Sequence, residues 1–247
     1  MTDEQPTLVV AVDAADAAAR AAALVEGYVR GSPAPVLGLA TGSTMTGVYD
    51  ALVARHRGAG LSFAACTAYL LDEYVGLGAD HPQRYAHVIT EMFAGRVDLD
   101  AGAVHAPRVD AVDLNCACAA YDHDVRHAAV GVQLLGIGRN GHLAFNEPGA
   151  SFDSRTRVVE LSETTRADNA RFFDGPATAP TRAITQGLAT ILAAHHLVLV
   201  ALGAHKAEAL RAALRGPIHT ATPASVLRRH PRVTVIADPP AAALLGC

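Results

Sequence analysis

Apolar runs of strand length alternate with helical periodicity along nearly the whole chain. The runs VLGLA, VQLLGIG and LVLVALG lack the every-second-residue polar pattern of a half-exposed strand, as expected of strands covered on both faces in a parallel sheet. With their neighbours they predict strands over 8–12, 36–40, 63–71, 132–137, 196–202 and 232–237. Between them the apolar spacing shifts to three and four residues, predicting helices over 14–29, 44–57, 83–94, 113–128, 164–171, 187–192, 206–214 and 224–229. This alternation implies an α/β fold of three layers, with helices on both faces of a mostly parallel sheet. No long Gly/Pro/Ser-rich linker and no repeat of about 20–50 residues interrupts it, so residues 1–247 are expected to form one domain.

Composition narrows the class. A 247-residue chain with 51% hydrophobic and 18% charged residues can bury a sizeable core and lacks the signature of disorder. A net charge of −4 offers no general attraction to nucleic acid or an anionic membrane. The opening MTDEQPTLVV has no basic segment followed by an apolar one, and no stretch reaches the roughly 20 apolar residues of a membrane span, so a cytoplasmic location is expected. The four cysteines form no CxxC pair, and Cys116 and Cys118 fall on different faces of a predicted helix, which argues against a disulfide framework or a cysteine zinc site. Of the 20 basic residues only Lys206 is a lysine.

Candidate chemistry sits where predicted strands end. In LGLATGSTMTGVYDAL, Thr41, Gly42, Ser43 and Thr44 join a buried strand to a helix. Hydroxyls and free amides there can hold an anion, although Ser and Thr also serve as plain N-caps. In LVLVALGAHKAEAL, Lys206 opens a helix, where its charge opposes the macrodipole unless an anion joins it; otherwise it is a surface charge. The loop LLGIGRNGHLAFNEPG carries Asn140, His142 and Glu147, a set in which a carboxylate can orient a proton-moving imidazole. In YLLDEYVGL, Asp72 and Glu73 follow an apolar run; a desolvated carboxylate there would make a base, a solvated one only a loop start. Weaker patterns are His123 and His127 with Asp122 and Asp124 nearby, read as a surface helix, and Arg155, Arg157 and Arg171, each a possible phosphate ligand or surface ion pair.

Taken together, LGLATGSTMTGVYDAL, LDEYVGL, HPQRY, LLGIGRNGHLAFNEPGASFDSRTR, TRADNARFF and LGAHKAEAL resemble the glucosamine-6-phosphate deaminase family over nearly the whole chain. The resemblance implies a single-domain, Rossmann-like fold and a reaction without metal or other cofactor. It would take glucosamine-6-phosphate and water to fructose-6-phosphate and ammonium. Asp72 would take the C2 proton and return it at C1, and His142 would help open the pyranose ring, oriented by Asn140 and Glu147. Thr41, Gly42, Ser43, Thr44, Arg171 and Lys206 would hold the phosphate.

The chain departs from the family pattern at Met45, Leu70, Arg84 and the stretch Pro107, Arg108, Val109, expected to cluster around the sugar-binding segments and the lid. Val159 and the stop at Cys247 point to a monomer or small homo-oligomer without allosteric activation. The expected partner is a small phosphosugar, with no nucleic acid or membrane. The nearest alternatives are a 6-phosphogluconolactonase, whose loop reads closer to GDGHTASLFP than to NGHLAFNEP, a related amino-sugar-phosphate isomerase, or a non-catalytic sugar-phosphate sensor, against which the joint presence of Asp72, His142 and Glu147 argues.

Overall fold

Strands that are apolar on both faces must pair on both edges and be covered by helices above and below. The computed structural model, which describes residues 5–173 and 179–246, arranges them in that way. In chain order the elements are β1 (Thr7–Val10), α1 (Ala14–Gly31), β2 (Val36–Leu39), α2 (Ser43–Ala59), β3 (Thr67–Leu70), β4 (Asp72–Val75), α3 (Tyr85–Met92), β5 (Val104–His105) and α4 (Leu114–Ala128). They continue with β6 (Val132–Leu135), β7 (Arg157–Glu160), α5 (Glu163–Asn169), β8 (Arg182–Thr185), α6 (Leu188–Ile191), β9 (His196–Ala201), α7 (Ala207–Arg215), β10 (Val233–Ala237) and α8 (Pro239–Ala242).

Seven strands form one sheet in the order β1-β10-β9-β6-β2-β3-β5, every pairing parallel. From β2 the chain winds outward through β3 to β5, and from β6 it winds the other way through β9 and β10. The crevice between β2 and β6 is therefore a topological switch point, where ligands of open α/β sheets bind beyond the carboxyl ends of the strands. The middle strands β6 and β9 are buried throughout. Alanines 17, 18, 21 and 22 give α1 a flat buried face. Around Phe93, Tyr49 stacks at 5.1 Å and Phe63 meets it edge-on at 5.0 Å. Gly38 leaves room for the buried Gln133 side chain, whose Oε1 would lie 1.9 Å from a β-carbon there.

Several predicted elements change form. The run 63–71 is not one strand: β3 ends at Leu70 and, one residue later, β4 enters a second, three-stranded antiparallel sheet of order β4-β8-β7 that apolar periodicity did not reveal. Residues 224–229, expected as a helix, fall instead in a 3-10 helix over Pro223–Arg229 that starts at a proline. Asp122, noted beside His123 and His127 on an expected surface helix, instead turns into the protein. It accepts from the Arg155 and Thr190 side chains and from the Thr156 amide and hydroxyl, while the two histidine rings stack on the exposed face. Burial alone would raise the Asp122 carboxyl, but these donors outweigh it and hold it at about 2.

Candidate active site

A cavity of about 790 Å³ opens at the switch point, walled by the segments after β2, β3, β6 and β9. After β2 the chain turns at Gly42, whose φ of +104° a residue with a β-carbon rarely adopts. Gly42 is the N-cap of α2 and gives no side-chain cap; Ser43 and Thr44 already stand inside the helix. The plain N-cap reading of these hydroxyls therefore fails. Uncapped amides at the start of a 17-residue helix, with Thr41, Ser43, Thr44 and Thr46 beside them on the cavity wall, are donors of the kind that can hold an anion.

Alternation along β4 separates the two adjacent carboxylates. Asp72 lines the cavity, whereas Glu73 faces away from it and accepts from the amides of Tyr74, Tyr85 and Ala86 at 2.9, 2.9 and 3.0 Å. Glu73 thereby caps α3, whose own N-cap residue, Arg84, supplies no side-chain cap. Asp72 is only 7% exposed. Burial, and secondarily the charge of Glu73, push its carboxyl up to about 8.

After β6, the loop folds back so tightly that the His142 ring lies against Gly138, where a β-carbon would come 2.3 Å from Cε1. Asn140 accepts from the His142 amide at 3.2 Å and donates from Nδ2 to Glu147 Oε2 at 2.7 Å. The same carboxylate oxygen lies 3.7 Å from His142 Nδ1, a buried ring nitrogen. Glu147 Oε1 accepts from the hydroxyls of Thr165 and Ser162, tying the loop to the start of α5. Burial would raise the Glu147 carboxyl, but the His142 ring, the Thr165 hydroxyl and the Asn140 amide outweigh it and hold it at about 2. A carboxylate beside an imidazole fixes the orientation of the ring.

After β9, Gly203 turns at φ +86° and its amide is held by Asp238, which brings Lys206 to the cavity at the N-cap of α7. Asp72, His142, Thr41, Gly42, Ser43, Thr44 and Lys206 thus line one cavity, with Asn140 and Glu147 directly behind His142. The Arg171 side chain lies outside the described residues. Arg155 is engaged with Asp122, and Arg157 donates to Asn146 Oδ1 at 2.9 Å. Three departures from the family pattern, Met45, Leu70 and Arg84, stand beside lining residues without lining the cavity themselves. Met45 and Leu70 are core residues, Val109 packs with Cys118 and Ile184, and none of them, nor Arg84, lines it.

Other wall residues were not singled out from sequence: Tyr74, Gln83, Tyr85, Arg139, Phe145 and His205. Period two along LDEY would have found Tyr74, two residues beyond Asp72 on the same strand face. Asn146 holds the loop from behind, donating to the carbonyls of Leu143 and Gln186; nothing in its type or spacing marked that role.

A family model described as glucosamine-6-phosphate isomerases/6-phosphogluconolactonase matches residues 11–236. The glucosamine-6-phosphate deaminase of Beutenbergia cavernae is 52% identical over 240 residues, 96% of this chain and 92% of that protein. The solved structure of a monomeric glucosamine-6-phosphate deaminase superposes with a TM-score of 0.94 at 40% identity, covering 96% of this chain and 99% of that one. A 6-phosphogluconolactonase from Trypanosoma cruzi shares the fold, with a TM-score of 0.79 at 19% identity over 98% of each chain. The matched segment runs from the first strand–helix junction to the last strand and includes every wall of the cavity, and the chain belongs to the glucosamine-6-phosphate isomerase/6-phosphogluconolactonase family.

Proposed function

We propose that this chain is a glucosamine-6-phosphate deaminase, converting glucosamine-6-phosphate and water to fructose-6-phosphate and ammonium by general acid–base chemistry. The observation that carries the reading is the desolvated Asp72 carboxyl in the same cavity as His142 with its Glu147 and Asn140 supports. In this reading the phosphate occupies the cradle of Thr41, Gly42, Ser43 and Thr44, with Lys206 and Arg171 as its cations. His142 moves the proton from the anomeric hydroxyl to the ring oxygen as the pyranose opens. Asp72 then takes the C2 proton and delivers it to C1 while one amine proton passes to O1, leaving an imine at C2 whose hydrolysis releases ammonium. A base poised near neutral pH and held against C2 suits an aldose–ketose isomerisation.

A lactonase needs only to activate water against an ester carbonyl and leaves the buried Asp72 without a task, so it ranks second. The 52% identical relative and the 40% identical structure, both named for the deaminase, support the same choice. We read residues 1–247 as one catalytic domain, acting in the cytoplasm as a monomer or small homo-oligomer without allosteric activation; the structural relative described as monomeric favours the smaller state. The test is ammonia release from glucosamine-6-phosphate, galactosamine-6-phosphate and N-acetylglucosamine-6-phosphate. Ammonia from the first is expected, and none from any of them with hydrolysis of 6-phosphogluconolactone would overturn the reading.

A further inference from the structure

One hydroxyl on the cavity wall has its oxygen fully engaged and its proton unclaimed by any of the described residues. Tyr74 follows Asp72 by two positions on β4, so both side chains leave the same face of the strand, and both line the cavity. The Tyr74 oxygen accepts from the Tyr85 hydroxyl at 3.0 Å and from Asn169 Nδ2 at 2.9 Å. Tyr85 also faces the Thr41 side chain. A phenol carries two lone pairs and one proton. With both lone pairs taken, no group among the described residues accepts the Tyr74 proton. The ring itself is held in place: Tyr85 packs at 4.7 Å, Phe145 at 5.6 Å and Phe173 edge-on at 5.7 Å. Burial pushes the phenol up to about 12, so it stays a donor across the neutral range.

We propose that Tyr74 is a further substrate-contacting residue, donating a hydrogen bond to O1 of the open-chain aldose while Asp72 removes the adjacent C2 proton. The assignment rests on the deaminase reading. Removing the C2 proton moves an electron pair toward O1, and a donor already oriented beside the base, away from bulk water, stabilises that charge as it forms. The proton stays on Tyr74; only the hydrogen bond strengthens, so the effect belongs to turnover more than to binding.

Tyr74→Phe keeps the ring and removes the donor. Ammonia release should show kcat lowered about 10- to 100-fold, with KM and the inhibition constant for inorganic phosphate within about twofold of wild type. Tyr85→Phe, which leaves the Tyr74 proton but strips one donor from its oxygen, should fall between the two. An unchanged kcat in Tyr74→Phe overturns the proposal. A parallel loss of phosphate inhibition overturns it too, by making the phenol a prop for the anion cradle. Wild-type protein that releases no ammonia would instead sink the deaminase reading on which the proposal stands.

Discussion

At the scale of single residues, strand alternation gives two neighbouring carboxylates different chemistry. Glu73 is surrounded by amides and works as a cap, whereas Asp72 has no comparable set of donors and its charge is expensive where it sits. Asp72→Asn should therefore lower kcat by about 10²- to 10⁴-fold, the usual contribution of a positioned base, with phosphosugar binding largely intact. The raised carboxyl also sets the pH dependence: wild-type kcat/KM should climb as pH rises toward about 8, because only the ionised carboxylate accepts a proton. Stability runs the other way. Between the ordinary carboxylate value and about 8 the folded state binds a proton that the unfolded state has released, so folding weakens as pH rises through that window. Asp72→Asn removes the linkage and should melt above wild type near pH 8, the gap closing toward pH 4; a gap independent of pH would contradict it. The residues by themselves left a desolvated base and a solvated loop start equally open for this pair, and what separates the two carboxylates is the set of far amides of α3.

At the scale of elements, the start of α3 is built from another strand. Its first amides have no cap from their own turn, and the Glu73 carboxylate on β4 takes two of them together with the Tyr74 amide. Glu73→Gln keeps the shape but weakens charge-assisted hydrogen bonds in a fully buried place, and should destabilise the fold by about 1.5–3 kcal/mol, read from the denaturation midpoint. The same change loosens Tyr85, the second residue of the phenol pair, so a smaller fall in kcat should accompany it. Such cross-element caps escape a reading by period, which sees only neighbours along the chain. The parallel sheet was legible because its strands are continuous apolar runs, most plainly 132–137 and 196–202. The antiparallel sheet was not, because each strand has only four residues, β7 is half-exposed, and β4 hides behind the apolar end of β3. The three loops with the strongest chemistry were legible for the opposite reason, since Thr-Gly-Ser-Thr, Gly-Ala-His-Lys and the loop of Asn140, His142 and Glu147 each stand out after an apolar strand.

Across the whole molecule, the switch-point topology brings together residues from positions 41 to 206, and the chain's lopsided basic composition makes one of them addressable. Lys206 is the single lysine in 247 residues, and it stands on the cavity wall at the N-cap of α7, where the helix dipole disfavours a cation unless an anion is present. Reductive methylation should therefore modify one ε-amine per chain in addition to the α-amine, with peptide mass mapping separating the two. If Lys206 binds the phosphate, modification at that peptide should track the rise in KM, and saturating phosphosugar or inorganic phosphate should protect it. Lys206→Ala removes the charge entirely and should raise KM by about 10- to 100-fold, the size of one charge-assisted hydrogen bond. Lys206→Arg keeps the charge but trades a compact ammonium for a wider planar fork, so it should recover only part of the loss. Because every other basic side chain is an arginine or histidine, that variant also leaves methylation no ε-amine to modify. An Ala variant with unchanged KM, or a lysine that methylates equally fast with the cavity filled, would return Lys206 to the protein surface and leave the anion cradle to the hydroxyls and amides of α2.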